Sequence, residues 1–278
     1  MNNDVTKARP FIKWVGGKNA IAHVIGEYLP AEIDRYYEPF VGSGALFFSI
    51  ASRVKKATLS DNNQSLMVTY KVVQQRVHDL IARLKQHAKK HSKEYYYKVR
   101  SWHDLTDDLE IAARMIYLNK TCYNGLYRVN SKNQFNVPLG SYKNPTICDA
   151  PNLIACSVVL QNVNIIYRSF DKIVIEPNSI VYCDPPYHAT YNQYHAEKFN
   201  DSLQQCLSEL AKEWHKRGSF VLISNSNTDF IRSLYGRLFK VIEVEAPRSV
   251  SCKERGKETE LLIITQCRAE KPIKQEAA

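Results

Sequence analysis

The sequence lacks the patterns of several large protein classes. Its seven cysteines are scattered, with no Cys-x-x-Cys pair and no His/Cys cluster at the spacing of a metal site. We therefore expect reduced thiols, no bound metal and a cytoplasmic location. No apolar run approaches the length that spans a bilayer, and the first residues carry no apolar segment of the kind that directs secretion. We expect neither a secreted nor a membrane protein.

What the sequence has in excess is positive charge. At 278 residues and 44% apolar it can bury a large core, and its formal net charge is +10. Between positions 76 and 145, 13 Lys/Arg stand against 6 Asp/Glu, and 7 of the 17 tyrosines lie there. Basic charge mixed with aromatic rings is typical of nucleic-acid contact. For any single lysine of this stretch, a solvated helix face is the simpler interpretation.

A short apolar run that ends in an acid and two prolines is the most informative stretch. Ile180-Val181 leads into Tyr182-Cys183-Asp184-Pro185-Pro186-Tyr187. Because proline cannot continue a strand ladder, the run is predicted to be a buried strand whose end presents Asp184. In an open α/β sheet, ligands bind at that edge. Taken alone, the stretch is also compatible with a strand followed by a solvated turn.

Such an edge suits attack by an exocyclic amine. The lone pair of a nucleobase amino group is delocalised into the ring, so the group is a poor nucleophile. If the Asp184 carboxylate and the Pro185 carbonyl accept its two hydrogens, the nitrogen is pulled towards a tetrahedral shape, while the Tyr187 ring stacks on the base. We therefore predict Asp184, Pro185 and Tyr187 as catalytic residues.

A second motif predicts a nucleoside-containing cofactor. Residues 36–48 are predicted to form a strand, a Gly42-Ser43-Gly44 turn and a helix. The next strand, Ala57–Ser60, ends in Asp61, where an acid can hold a ribose diol. Phe47 stands where a dinucleotide-binding turn has its third small residue, which disfavours a pyrophosphate ligand and hence a dehydrogenase.

An aromatic and basic segment with paired glycines precedes that motif. It reads Phe11-Ile12-Lys13-Trp14-Val15-Gly16-Gly17-Lys18 and leads into a predicted helix over 19–28. Adjacent glycines let a backbone approach a ligand closely, and Lys18 is placed to meet a carboxylate or phosphate. The spacing of a phosphate-binding Walker loop is missing. A buried Trp14 and a surface Lys18 explain the segment equally well.

The middle of the chain interrupts the alternation of strands and helices. Apolar residues recur about every 3.6 positions from Asn63 to about Lys90, and acids begin a second predicted helix at about Asp107–Asn119. The polar and aromatic segment 123–138 contains an Asn-Gly turn and is predicted to be a β-hairpin. We interpret this block as an inserted recognition domain. The predicted boundaries are 1–62 and 151–267 for the two catalytic parts, 63–150 for the insertion and 268–278 for a tail.

The α/β alternation resumes after the insertion. The predicted elements are strands near Val158–Leu160 and Asn164–Tyr167, the strand before Asp184, a helix at Ser202–Lys216, a strand at Phe220–Ile223, a helix at Asp229–Leu238 and strands at Val241–Glu245 and Glu260–Thr265. With no helix between them, the last two are predicted to pair antiparallel at the edge of the sheet.

Four motifs in this order resemble those of the Dam-like DNA adenine-N6 methyltransferases. They are Lys13-Trp14-Val15-Gly16-Gly17-Lys18, Glu38-Pro39-Phe40-Val41-Gly42-Ser43-Gly44, Asn124-Gly125-Leu126-Tyr127-Arg128 and Asp184-Pro185-Pro186-Tyr187, within a likeness over about residues 11–265. The resemblance implies an α/β fold, with a Rossmann-like seven-stranded methyltransferase sheet and an inserted helical plus β-hairpin target-recognition domain. It also implies S-adenosyl-L-methionine as methyl donor and adenine N6 in double-stranded DNA as acceptor, with GATC as the first candidate site.

The same resemblance assigns site residues. To the donor pocket it assigns Trp14, Lys18, Glu38, Phe40, Gly42, Gly44, Asp61, Phe170, Asp171 and Asp184. To DNA contact it assigns Lys13, Tyr123, Asn124, Leu126, Arg128, Asn130, Pro138 and Tyr142. Lys13 and Arg128 match positions that read guanine edges, whereas Leu126 and Pro138 are nearly as well explained by hairpin packing. We expect a monomer in solution, with one or more copies on DNA.

The segment after Tyr187 departs from the family pattern. Relatives usually have a longer polar segment that ends in Phe-Thr-x-Tyr, whereas here His188-Ala189-Thr190 leads directly into Tyr191-Asn192-Gln193-Tyr194. The loop expected to close over a flipped base is therefore shorter. Methylation of cytosine N4, methylation of an RNA base and DNA binding by a non-catalytic relative are the alternative functions.

Overall fold

One seven-stranded sheet organises the computed structural model, which describes residues 7–189, 199–247 and 257–265. The strands are β1 (Ile33–Glu38), β2 (Val54–Asp61), β3 (Val163–Tyr167), β4 (Ile180–Cys183), β5 (Phe220–Ser226), β6 (Phe239–Pro247) and β7 (Lys257–Thr265). The helices are α1 (Ala22–Glu27), α2 (Ala45–Ile50), α3 (Gln64–Gln75), α4 (Val77–Lys90), α5 (Lys93–Arg100), α6 (Asp108–Thr121), α7 (Ala150–Leu160), α8 (Asp201–Lys216) and α9 (Asp229–Tyr235).

The strand order reverses between β1 and β4. The order is β3-β2-β1-β4-β5-β7-β6, so the chain first adds strands on one side of β1 and then crosses to its other side. β1 to β5 are parallel, and Tyr37 of β1 lies beside Val181 of β4. Where the strand order reverses in this way, the connections after the two central strands leave in opposite directions, and ligands of open α/β sheets bind at that point. The predicted α/β sheet of seven strands is confirmed.

Both faces of the sheet are covered. Along β4, Val181 and Cys183 pack on one face and Tyr182 on the other, and all three are almost fully buried. Successive side chains of a strand point to opposite faces, so a strand buried on both sides reads as a continuous apolar run. This is why the stretch before Asp184 is apolar throughout.

The long predicted helix at Asn63–Lys90 is in fact two helices. Asn63 caps α3 by accepting the N–H of Leu66 at 3.0 Å, and Arg76, at φ −134° and ψ 37°, separates α3 from α4. Helix α5 was not predicted, because only Tyr96 and Val99 of its eight residues are buried. The predicted boundary at residue 63 remains a prediction, since α3 packs on β2 and β3 as well as on α6.

The predicted strand near Val158–Leu160 is wrong, since these residues end α7. The side chain of Asp149 caps that helix by accepting the N–H of Asn152 at 3.3 Å. Leu153, Cys156 and Leu160 are buried at helical spacing, while Val158 is 68% exposed. A three-residue apolar run has no period of its own, so it does not distinguish the end of a helix from a strand. The strand at Asn164–Tyr167 is confirmed as β3.

The segment 123–138 forms an irregular hairpin. Asn124 and Gly125 have φ values of 53° and 66°, but their turn comes directly after α6 rather than at the tip. The chain reverses at Asn130–Gln134, and isolated bridges join Val129 to Phe135 and Cys122 to Leu139.

The last two strands pair antiparallel, as predicted. β7 lies between β5 and β6, which leaves β6 at the edge of the sheet. Because β7 runs against β5, its first residues reach the edge where the parallel strands end. Within the three described ranges, no helix is both long and apolar enough to cross a membrane.

Candidate active site at the carboxyl edge of the sheet

Lys18 lies at the centre of the candidate site. Its Nζ is 3.0 Å from Oδ1 of Asp184, 3.8 Å from Oε2 of Glu260 and 4.6 Å from the ring centroid of Tyr187. Nζ also donates to the Gly16 carbonyl at 2.8 Å, and only 6% of the side chain is exposed. The contact with Asp184 is an ion pair whose angles are not those of a regular hydrogen bond. A buried ammonium requires such anionic neighbours.

Asp184 follows β4 directly and stays ionisable near neutral pH. Burial raises the pKa of its carboxyl to about 6, the Lys18 charge opposes this rise, and the Glu260 charge adds to it. The side chain is 19% exposed, so most of the carboxylate is shielded from solvent but part of it remains accessible. Above about pH 6 it is therefore an anionic acceptor at the carboxyl edge of the sheet.

Glu38, at the end of β1, has a different charge state. It is 2% exposed and accepts a hydrogen bond from the Tyr36 hydroxyl at 2.7 Å. Burial raises its pKa to about 8. The hydrogen bond from Tyr36 lowers the pKa, and the charge of Asp184 raises it further. At neutral pH Glu38 is mostly a neutral acid, which can donate as well as accept.

Asp61 closes the turn after β1. Its carboxylate accepts the N–H of Gly42 at 3.1 Å and that of Asn63 at 3.0 Å, and burial raises its pKa to about 6. A carboxylate offers about four acceptor positions, so these bonds do not exhaust it. The acid that was predicted for a ribose diol thus also joins the tip of β2 to the glycine turn.

The glycine turn requires glycine. Gly42 and Gly44 have φ values of 46° and 69°. A Cβ on Gly42 would lie 2.7 Å from Cδ1 of Trp14, and one on Gly44 would lie 2.7 Å from the hydroxyl of Tyr70. Trp14 covers the turn and stacks on Tyr127, with ring centroids 5.3 Å apart. The tight turn is confirmed, and Trp14 is part of its wall.

The remaining predicted donor residues lie farther along the edge. Phe40 stacks on Phe170 with centroids 5.1 Å apart, and the ring of Phe199 meets both. Asp171 is exposed and accepts a hydrogen bond from the Ser169 hydroxyl. The structure therefore brings Phe40 and Phe170 into one aromatic group, with Asp171 next to it in sequence.

Two buried amides that the sequence does not predict hold the tetrapeptide Asp184-Pro185-Pro186-Tyr187 and the residue after it. The Gln204 amide on α8 donates to the Pro186 carbonyl at 3.0 Å, and the Asn225 amide on β5 donates to Gln204 Oε1 at 3.0 Å. Asn225 Oδ1 in turn accepts the N–H of His188 at 3.2 Å. Both amide side chains are fully buried. The sequence does contain one indication of this pair: Asn225 is a polar residue at the end of an apolar strand.

Comparison with known proteins finds a matching family model, similar sequences and similar folds. A family model described as D12 class N6 adenine-specific DNA methyltransferase matches residues 14–250. Type II methyltransferase M.MjaIII of Methanocaldococcus jannaschii is 41% identical over 273 residues, covering 89% of this chain and 94% of that protein. The DNA adenine methylase of Haemophilus influenzae is 33% identical over 271 residues, covering 93% and 94%. Among solved structures, N-methyltransferase NodS of Bradyrhizobium japonicum matches with a TM-score of 0.41 and 7% identity, over 95% of this chain and 98% of that one.

The chain belongs to the D12 class of N6 adenine-specific DNA methyltransferases. Membership confirms the resemblance that the four motifs indicate. It identifies adenine N6 in DNA as the methyl acceptor, rather than cytosine N4 or an RNA base. The assignment of each motif residue to a role is a separate question.

In this D12 methyltransferase, five of the residues predicted to contact DNA are exposed together near the hairpin. They are Lys13, Tyr123, Asn124, Pro138 and Tyr142. The Lys13 ammonium donates to the Tyr142 hydroxyl at 3.0 Å and lies 4.4 Å from its ring centroid. The Tyr123 N–H donates to the Pro138 carbonyl at 2.9 Å. The first contact joins the N-terminal motif to the chain after the hairpin, and the second joins the two arms of the hairpin.

The other three predicted DNA contacts are partly buried and already have partners in the D12 fold. Arg128 Nε donates to the Asn136 side chain at 2.7 Å, and the Asn130 side chain accepts two backbone N–H groups within the hairpin turn. Leu126 packs against the core. Their DNA roles remain predictions. Tyr191 and Asn192, predicted for the loop over the base, lie outside the described residues.

Replacement of Gly42 by alanine tests the contact with Trp14. Gly16 also has a positive φ, of 74°, but a Cβ there would meet nothing within 4 Å. We expect Gly16→Ala to lower the free energy of unfolding by about 1 kcal/mol through backbone strain alone. Gly42→Ala should lower it by at least about 2 kcal/mol because Trp14 must also move. Urea unfolding of both variants measures the difference, and equal losses would refute the contact.

Replacement of Glu38 by glutamine tests its raised pKa. Between about pH 4.5 and 8 the folded state retains a proton on Glu38 that the unfolded chain releases. The free energy of unfolding therefore falls as pH rises through this window, by at most about 1.4 kcal/mol per pH unit. Glu38→Gln removes this fall, so the variant should gain stability relative to the wild type between about pH 5 and pH 8.5. Urea unfolding at several pH values measures this. Glu209→Gln, on the exposed face of α8, is the control, and parallel slopes for Glu38→Gln and wild type would contradict the prediction.

Proposed function

We propose that this D12 methyltransferase transfers a methyl group from S-adenosyl-L-methionine to N6 of an adenine rotated out of duplex DNA, with Asp184, Pro185 and Tyr187 as the catalytic residues. One observation carries this proposal. The Lys18 nitrogen, a hydrogen-bond donor, lies 3.0 Å from the Asp184 carboxylate and 4.6 Å from the Tyr187 ring centroid. The site thus holds a donor nitrogen between a carboxylate and an aromatic face, as the reaction requires for N6.

The chain's own groups make N6 a better nucleophile. The Asp184 carboxylate and the Pro185 carbonyl each accept a hydrogen bond from the N6 amino group, while the base stacks on Tyr187. As the methyl group passes to N6, its bond to the donor sulfur would break, leaving a neutral thioether, and positive charge would develop on N6. The nearby carboxylate stabilises this charge before one N6 proton departs to solvent. Gln204 and Asn225 fix the loop that carries these acceptors, so little reorganisation is needed during the reaction.

The donor pocket fits a nucleoside attached to an amino acid. Phe40 and Phe170 provide an apolar aromatic group for a base, and Asp61 has acceptor capacity for a diol. The absence of a Cβ at Gly42 lets the Trp14 ring pack directly against the turn. Lys18 is placed to meet a carboxylate of the donor. When bound, S-adenosyl-L-methionine supplies an electrophilic methyl group on its sulfonium. The predicted residues Glu38, Gly44 and Asp171 complete the proposed pocket.

The exposed surface near the hairpin is the proposed DNA-reading face. Lys13 and Arg128 are assigned to guanine edges, and Tyr123 and Asn124 to the rim of the opened duplex. The family resemblance makes GATC the proposed site. Rotation of the base is required because N6 cannot meet a bound donor from inside the base stack.

Replacement of Asp184 tests the catalytic assignment. Asp184→Ala removes the acceptor of one N6 hydrogen and should lower the rate of methyl incorporation into unmethylated plasmid DNA at least about 10³-fold, with DNA affinity within about threefold of wild type. Asp34→Ala, at the opposite edge of the sheet, is the control and should retain full activity. An Asp184→Ala enzyme that still methylates at a comparable rate would refute the assignment.

The methylated motif tests the recognition assignment. We expect DNA from cells that produce the protein to carry N6-methyladenine in GATC, read by modification-sensitive sequencing. Arg128→Ala should add sites that lack the contacted guanine, because a lost bidentate contact costs about 1–3 kcal/mol of discrimination. A different motif in the wild type would reject GATC, and an unchanged motif in the variant would reject the role of Arg128.

A further inference from the structure

Glu260 belongs to none of the four motifs but contacts the catalytic tetrapeptide. Its Oε2 accepts a hydrogen bond from the Tyr187 hydroxyl at 2.7 Å and lies 3.8 Å from Lys18 Nζ. The side chain is 19% exposed, so solvent does not fully screen these contacts. A glutamate near the beginning of a strand is otherwise an ordinary surface residue, which is why its sequence gives no indication of this role.

The antiparallel direction of β7 explains how Glu260 reaches the site. Glu260 pairs with Ser226, the last residue of β5, and so stands at the carboxyl edge of the parallel strands. Leu262 and Ile264 follow on the same face of β7 and pack in the same core as Tyr182. Because side chains alternate along a strand, Glu260 faces the side of the sheet on which Asp184 continues the pattern of Tyr182.

The hydrogen bond fixes the far end of the Tyr187 ring. The near end is held by the backbone after Pro186, whose carbonyl accepts from Gln204 at 3.0 Å. The Lys18 ammonium, 4.6 Å from the ring centroid, contacts the ring itself, and the Glu260 hydrogen bond adds a restraint at the hydroxyl. With the hydroxyl held by Glu260, the plane of the ring is set before any base arrives, which reduces the entropy lost on stacking.

We propose that Glu260 is a positioning residue for methyl transfer: its carboxylate holds the Tyr187 hydroxyl and so sets the ring plane against which the target base stacks. This inference rests on the proposed function, because the ring matters only if a base rests on it. In this proposal Glu260 contacts neither the base nor the donor, and its effect on the base is exerted through the Tyr187 ring, separately from its longer contact with Lys18. Removal of either member of the pair should therefore have the same consequence.

The test is a double-mutant cycle under single-turnover conditions. The full-length protein, in excess over unmethylated plasmid DNA, is supplied with S-adenosyl-L-methionine carrying a labelled methyl group. We expect Glu260→Ala and Tyr187→Phe each to lower the rate about 10- to 100-fold, the cost typical of a misplaced reacting group. The double variant should be no slower than Tyr187→Phe alone. Glu260→Gln keeps an oxygen acceptor for the hydroxyl and should recover to within about threefold of wild type.

Three outcomes would overturn the role. They are a Glu260→Ala rate within twofold of wild type, a double variant whose loss is the product of the single losses, and no recovery in Glu260→Gln. Glu243→Ala on the neighbouring strand β6 is the matched control for loss of a glutamate from this sheet. Thermal unfolding identifies any variant that has lost its fold. The Glu260→Gln variant then distinguishes positioning from a merely structural effect, because a structural effect would not depend on an acceptor for the Tyr187 hydroxyl.

Wild type measured in parallel separates the two proposals. If it transfers no methyl group, the proposed function fails; if it does, only the role of Glu260 is at stake.

Discussion

A buried ammonium between carboxylates holds the active edge of this protein together. Lys18 comes from the N-terminal motif, Asp184 follows β4 and Glu260 lies near the beginning of β7. Both carboxylates nevertheless lie within 4 Å of the Lys18 nitrogen. Removing one partner of such a buried pair leaves an uncompensated charge, which typically costs about 3–5 kcal/mol. The ion pair therefore constrains three distant stretches of chain to one place.

Burial gives the carboxyl groups of this edge different charge states. Glu38 has a pKa raised to about 8 and is mostly neutral at pH 7, whereas Asp184, next to Lys18, has a pKa raised only to about 6 and is ionised. Two acids at the ends of adjacent strands thus differ in what they can do. An ionised Asp184 can accept a hydrogen bond from an amine. Because Glu38 is mostly neutral, it places no second negative charge beside Asp184.

The proposed DNA-reading face and the glycine turn of the proposed donor pocket are packed together. The Asn119 side chain on α6 is bonded to both the N–H and the carbonyl of Lys13, at 2.8 Å each, and donates to the Gly125 carbonyl at 3.1 Å. The residue after Lys13 is Trp14, which covers Gly42 and stacks on Tyr127. The hairpin and the glycine turn are therefore connected through Asn119, Lys13 and Trp14, and under the proposed function this packing connects base reading to catalysis.

The sequence by itself determined the strands that lead into Asp61 and Asp184, the glycine turn, the antiparallel final pair and the family, since each of these is written in a local period, a proline stop or an ordered motif. It did not determine the break at Arg76 or the helical state of Val158–Leu160, because local apolar patterns continue through both. Only the tertiary structure placed Gln204, Asn225 and Glu260 behind and beside the tetrapeptide. Their partners lie 18, 37 and 73 positions away along the chain, and contacts over such separations leave no periodic trace in the residues that make them.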